Sequence, residues 1–106
     1  MLKTCLMAIT LLFASTSALA AEYWIDVRIP PQYEAEHLDG AINIPLKQLK
    51  GEIANRVKNK DDTLHLYCNS GRQSGLAKQE LLDMGYTNVL NEGGIDGIKQ
   101  RLKAHK

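Results

Sequence analysis

Three short β-prone runs, each separated from the next by a stretch of helical periodicity, constrain this chain most. They are Tyr23–Val27 ("YWIDV"), Thr63–Cys68 ("TLHLYC") and Thr87–Gly94 ("TNVLNEGG"). Each is rich in β-branched, aromatic or leucine residues and ends at a Pro or Gly signal nearby, as a buried strand does. A shorter one, Ala41–Ile44, is stopped by Pro45. Between them, Leu46, Leu49, Ile53 and Val57 recur at near-helical spacing over 46–58. Leu76, Ala77, Leu81 and Met84 do the same over 76–86, where Gly85 supplies a helix stop. Pro31 suits the first turn of a short helix over 31–37. Residues 59–62 read as a polar turn, and 95–106 as a short, basic, fraying helix. Strands alternating with helices imply βαβ units. The expected fold class is α/β: a mostly parallel four-stranded sheet flanked by helices.

The first twenty residues stand apart. Lys3 is followed by an apolar run from Cys5 to Ala14, and then by a small, polar stretch ending Ala18-Leu19-Ala20. The run is shorter than the ~20 residues a membrane span needs. The three-part layout is that of a secretory signal peptide cut after Ala20. Residues 1–20 are therefore expected to be a signal peptide and 21–106 a single domain, exported to the periplasm and free of the membrane after cleavage. The chain has 13 basic and 12 acidic side chains, and these balance once Lys3 is gone. The charges are interspersed, without the basic patch of a nucleic-acid partner. Cys5 leaves with the leader, so Cys68 remains as an unpaired thiol in an oxidising compartment, where such a thiol is either used or hidden.

Cys68 closes a strand and opens the loop "NSGRQSG", Asn69–Gly75, ahead of a helix. In open α/β sheets ligands bind at the carboxyl ends of the strands. The N–H groups of such a loop can curl into an anion-binding nest, and the helix start adds unsatisfied donors and a positive dipole end. A cysteine in that field has its pKa lowered and is present as the nucleophilic thiolate. The alternative is a cysteine that merely fills space as a small hydrophobe. Phosphate-monoester hydrolysis by cysteine uses C-x5-R; here the sixth position is Ser74, and Arg72 lies only four residues on. The shorter cradle suits one extra sulfur atom better than a phosphoryl group.

These residues resemble a known family. Ile25–Pro45 is similar to the rhodanese-domain signature, a strand ending D-V-R and then H-[IL]-x-G-A-x-[NH]-[IL]-P, carried here by Asp26, Val27, Arg28, Tyr33, His37, Leu38, Gly40, Ala41, Asn43, Ile44 and Pro45. "CNSGRQS" resembles the family loop C-x-x-G-x-R-S, and "VLNEGG" its V-x-x-L-x-G-G strand end. Within the family the chain looks most like the small, periplasmic, single-domain thiosulfate sulfurtransferases. The resemblance implies a catalytic Cys68 that takes the outer sulfur of thiosulfate as a persulfide. The N–H groups of Asn69, Ser70, Gly71, Arg72, Gln73 and Ser74 would stabilise it. The acceptor is a thiophile such as cyanide or a thiol, including a thiol on a protein, and no metal or organic cofactor is implied.

Three departures stand out. Gln73 occupies the usual arginine position, with Arg72 one earlier; Gly97 and Ile98 stand where a tryptophan is common; and the family's first strand and helix are missing ahead of Trp24. Arg72 is a candidate for steering anions. Asp26 and Arg28 read as a strand-end ion pair, His37 as structural, and Trp24 as core. Ser74 is a candidate helix N-cap, and Ser70 with Gln73 a candidate capping box. The competing functions are a persulfide carrier, a silent partner-binding module, and a phosphatase or arsenate reductase on the same fold.

Overall fold

The computed structural model describes residues 21–104; the expected signal peptide, 1–20, lies outside the described residues. The elements are β1 (Glu22–Asp26), α1 (Pro30–Ala35), β2 (Ile42–Asn43), a 3-10 turn (Leu46–Gln48), α2 (Leu49–Arg56), β3 (Thr63–Cys68), α3 (Arg72–Asp83), β4 (Asn88–Gly94) and α4 (Ile95–Ala104). The four strands form one sheet in the order β2-β1-β3-β4. Every pairing is parallel, with Ile25 opposite both Ile42 and Leu66. This is the α/β architecture expected from the alternation of strands and helices.

Strand β3 lies inside the sheet and is buried on both faces, so its side chains alternate between two apolar layers. Leu64, Leu66 and Cys68 point to one layer with Ile25, Val27 and Val89, sealed by Leu49 and Ile53 of α2, Val57 just beyond it, and Ala77 and Leu81 of α3. Tyr67 points to the other, with Ala41, Ile95 and Ile98. Ile98, in the region where the family commonly has tryptophan, is thus a buried residue of this second layer. Trp24 departs from the expected core position. It is half-buried against the second layer and stacks on His65, with ring centroids 4.5 Å apart.

Two local features aim Cys68. First, pairing parity puts it on the same face as Leu66, toward α3. Second, the β3–β4 register slips: Leu66 pairs with Asn91 but Tyr67 with Gly93, leaving Glu92 as an extra residue on β4. Gly93 absorbs the kink with φ +97°.

The helix boundaries differ from the sequence expectation in one important respect. Helix α3 starts at Arg72, not Leu76, so Arg72, Gln73 and Ser74 belong to its first turn. Its N-cap is Gly71, at φ +92°, with no side-chain capping bond. Neither the Ser74 cap nor the Ser70–Gln73 capping box forms. Leu76 accordingly lies outside the buried stripe and is 54% exposed. At the other end the prediction holds. Gly85 donates its N–H to Leu82 and Tyr86 donates to Leu81, the two bonds of a glycine-terminated helix. Among the described residues no helix is long and apolar enough to cross a membrane.

Ile53 is fully buried beneath the sheet. Ile53→Ala is expected to lower unfolding free energy by about 2–5 kcal/mol, measured by urea denaturation. A loss under about 1 kcal/mol would contradict α2 as a tightly packed cover.

Candidate active site

The site is built where β3 ends and α3 begins. Cys68 is a free thiol, only 2% exposed. Helix α3 has no side-chain cap, so its first N–H groups need acceptors. The Cys68 sulfur is one: the Gly71 N–H donates to Sγ at 3.0 Å and the Ser74 N–H at 3.4 Å. Ser74 Oγ also lies 3.4 Å from the sulfur. The Cys68 pKa is lowered. Burial pushes the thiol up, but it is outweighed by hydrogen bonds to the charged form, from the Ser74 hydroxyl when its proton turns to the sulfur and from the N–H groups of Ser74, Ser70 and Gly71.

The loop is clamped from two sides. A Cβ on Gly94 would lie 2.2 Å from the Asn69 carbonyl oxygen, so only glycine lets β4 pass beneath it. On the other side stands the buried Asp26–Arg28 pair. Arg28 donates to both Asp26 carboxylate oxygens at 2.7–3.1 Å. Its remaining donors reach the Glu36 carbonyl at 2.6 Å and Asn69 Oδ1 at 3.3 Å. The Asp26 hydrogen bonds raise the Arg28 pKa, although burial opposes them. One guanidinium therefore ties β1 to the end of α1 and to the Cys68 loop. Tyr67, under Arg28, is pushed up to about 12 by burial. It stays neutral, and its hydroxyl accepts the Leu38 N–H.

The structure thus brings together Cys68, Ser70, Gly71 and Ser74. It turns the Asn69 side chain to Arg28 and leaves the Arg72 and Gln73 side chains exposed. The His37 Nδ1 meets the Tyr33 carbonyl at 2.8 Å and its ring stacks on Tyr33, contacts that fit the structural reading. Sequence reasoning passed over Asn91. Its Oδ1 accepts from Ser74 Oγ at 2.7 Å and from the Gly93 N–H at 3.0 Å, while its Nδ2 donates to the Gly71 carbonyl at 3.0 Å. A polar residue near the end of a β-prone strand was the signal available. Among the described residues no group of three or more His, Cys, Asp or Glu side chains is placed to hold a metal. A cleft of about 430 Å³ lies away from Cys68, between Trp24, the His37–Asp39 turn and α4. It contains none of this chemistry.

A cysteine at the carboxyl end of an inner parallel strand, ringed by the N–H groups of a glycine loop and a helix start, defines a class. The chain belongs to the rhodanese-like domain family, whose profile matches residues 13–101. It is 56% identical over 98 residues to thiosulfate sulfurtransferase PspE of Escherichia coli K12, covering 92% of this chain and 93% of that protein. Among solved structures it resembles an E. coli rhodanese with anions (TM-score 0.69, 60% identity, covering 72% of this chain and 89% of that one). The rhodanese-like domain of Alr3790 from Anabaena superposes with TM-score 0.72 over 93% of each chain; at 22% identity it shows the shared fold alone.

Alkylation of Cys68 by iodoacetamide is expected to be half-maximal below the ordinary thiol value of ~8.5. Gly94→Ala should displace the loop and move that midpoint back toward the ordinary value. An unchanged midpoint in a folded Gly94→Ala protein would contradict the loop geometry as its cause.

Proposed function

We propose that this protein is a thiosulfate sulfurtransferase working through a Cys68 persulfide. The observation that carries the reading is the Cys68 sulfur held 3.0 Å from the Gly71 N–H at the start of α3, in a chain closely similar to a thiosulfate sulfurtransferase. The thiolate attacks the outer sulfur of thiosulfate. A new S–S bond forms at Sγ, the S–S bond of thiosulfate breaks, and sulfite leaves with the bonding electron pair. The loop N–H groups that converge on Sγ in the free protein are assigned to stabilise the persulfide's negative outer sulfur, as an oxyanion hole stabilises developing charge. Cyanide or a thiol, small or on a protein, then attacks that outer sulfur. The Sγ–S bond breaks and the thiolate returns. The lowered Cys68 pKa favours the thiolate, so the first transfer is assigned no general base.

Arg72 stands exposed in the first turn of α3 and is assigned the steering of the anionic donor. The N-terminal layout supports export to the periplasm after cleavage at Ala20, where an unpaired, reactive cysteine has sulfur chemistry to do. The hydrolytic alternative lacks an arginine at position 74.

Initial rates with thiosulfate and cyanide are expected to give parallel double-reciprocal lines, the pattern of a double displacement; intersecting lines would contradict a persulfide intermediate. Cys68→Ser should fall to background. Arg72→Ala should raise KM for thiosulfate about fivefold, the effect of one exposed charge worth about 1 kcal/mol, with kcat little changed.

A further inference from the structure

The Asn91 side chain touches three separate pieces of the site, yet the chemistry above gives it no part. Its amide orientation is settled by its partners. The Gly71 carbonyl can only accept, so Nδ2 faces it at 3.0 Å, and Oδ1 must face the Gly93 N–H and the Ser74 hydroxyl. Gly71 and Ser74 are the two residues whose N–H groups reach the Cys68 sulfur. The β4 irregularity at Glu92 sits immediately beyond Asn91, which pairs with Leu66 and so shares its α3-facing side.

We propose that Asn91 is a positioning residue of the active site: its side-chain amide holds the Gly71 carbonyl and the Ser74 hydroxyl, and so sets which hydrogen bonds reach the Cys68 sulfur. The Ser74 hydroxyl has one proton. In the arrangement seen, that proton goes to Asn91 Oδ1 at 2.7 Å, and Ser74 Oγ faces the Cys68 sulfur at 3.4 Å with its lone pairs. A thiol can donate to those lone pairs, whereas a thiolate or persulfide cannot. Ionised Cys68 and Asn91 then compete for the same Ser74 proton. The Gly71 N–H does not face this competition; Nδ2 anchors the Gly71 carbonyl, on the other side of the same Cα, and so limits how far that residue can turn.

The proposal rests on Cys68 being the reacting sulfur. Its test needs no sulfur donor, so it stands apart from the choice of thiosulfate. Leucine is close to asparagine in shape and removes all three bonds. Asn91→Leu is made alone and in the Ser74→Ala background, and the pH midpoint of Cys68 alkylation is measured in each. The charged side chains near this end of the sheet include the paired Asp26 and Arg28, the exposed Arg72, and Glu92 with its partners His65 and Arg101, all unchanged in these variants. In the Ser74→Ala background Asn91 has only the Gly71 carbonyl left to hold near the sulfur. There Asn91→Leu should raise the midpoint by about half a pH unit through loss of a donor to the thiolate. With Ser74 present the freed hydroxyl turns to the sulfur, and the rise should be smaller or reversed. No shift in either background, or the same shift in both, overturns the assignment. Should Asn91→Leu fail to fold, the unaltered protein decides by NMR. The Asn91 side-chain amide resonances should titrate with the Cys68 midpoint; resonances constant across it contradict the proposal.

Discussion

Helix α3 is capped by a sulfur atom. Its N-cap residue, Gly71, has no side chain to offer, and Cys68 Sγ serves as acceptor in its place, 3.0 Å from the Gly71 N–H and 3.4 Å from the Ser74 N–H. One interaction therefore serves two purposes. It satisfies helix N–H groups that would otherwise stand orphaned, and it gives the sulfur its tolerance of negative charge. Burial alone would have made Cys68 a poor nucleophile; the Ser74 hydroxyl and the N–H groups of Ser74, Ser70 and Gly71 reverse the sign. Sheet, crossing helices and clamps together keep β3 and α3 aligned to within a hydrogen bond of each other.

The clamps are specific. Arg28, paired to Asp26, reaches both the Glu36 carbonyl and Asn69. A buried pair of this kind adds little net stability, but its loss on one side leaves an uncompensated charge. Its value here lies in joining three chain segments at one end of the sheet. Gly94 performs the complementary task from β4, where a single methyl group would meet the Asn69 carbonyl. Asn91 completes the frame between them.

Much of this was legible in the sequence because short-range signals and tertiary structure agree. Leu64, Leu66 and Cys68 recur at every second position, the spacing that lines one face of a strand with apolar side chains. Leu49, Ile53 and Val57 lie at the spacing that seals that face. Gly85 stops α3 as its position predicts. The start of α3 was not legible: "NSGRQSG" reads as a loop because Ser and Gly are poor helix formers. The propensity of Arg72–Gly75 is overridden by a cap that comes from a side chain three residues before Gly71. Capping rules written for Ser, Thr, Asp and Asn do not anticipate a cysteine. The Asn91 contacts were hidden for a related reason. They depend on an extra residue in β4, and strand periodicity does not reveal where a register slips. Trp24 was misplaced because hydrophobicity alone does not say that the stacking partner on the next strand is His65, itself bonded to Glu22 and Glu92.

The central claim is that the sulfur capping α3 accepts a second sulfur. It is tested most directly by the intact mass of the protein before and after thiosulfate, and again after cyanide. The account predicts a gain of one sulfur atom, located on Cys68 and removed by cyanide. An unchanged mass, with Cys68 shown to be reduced and alkylatable, would contradict it.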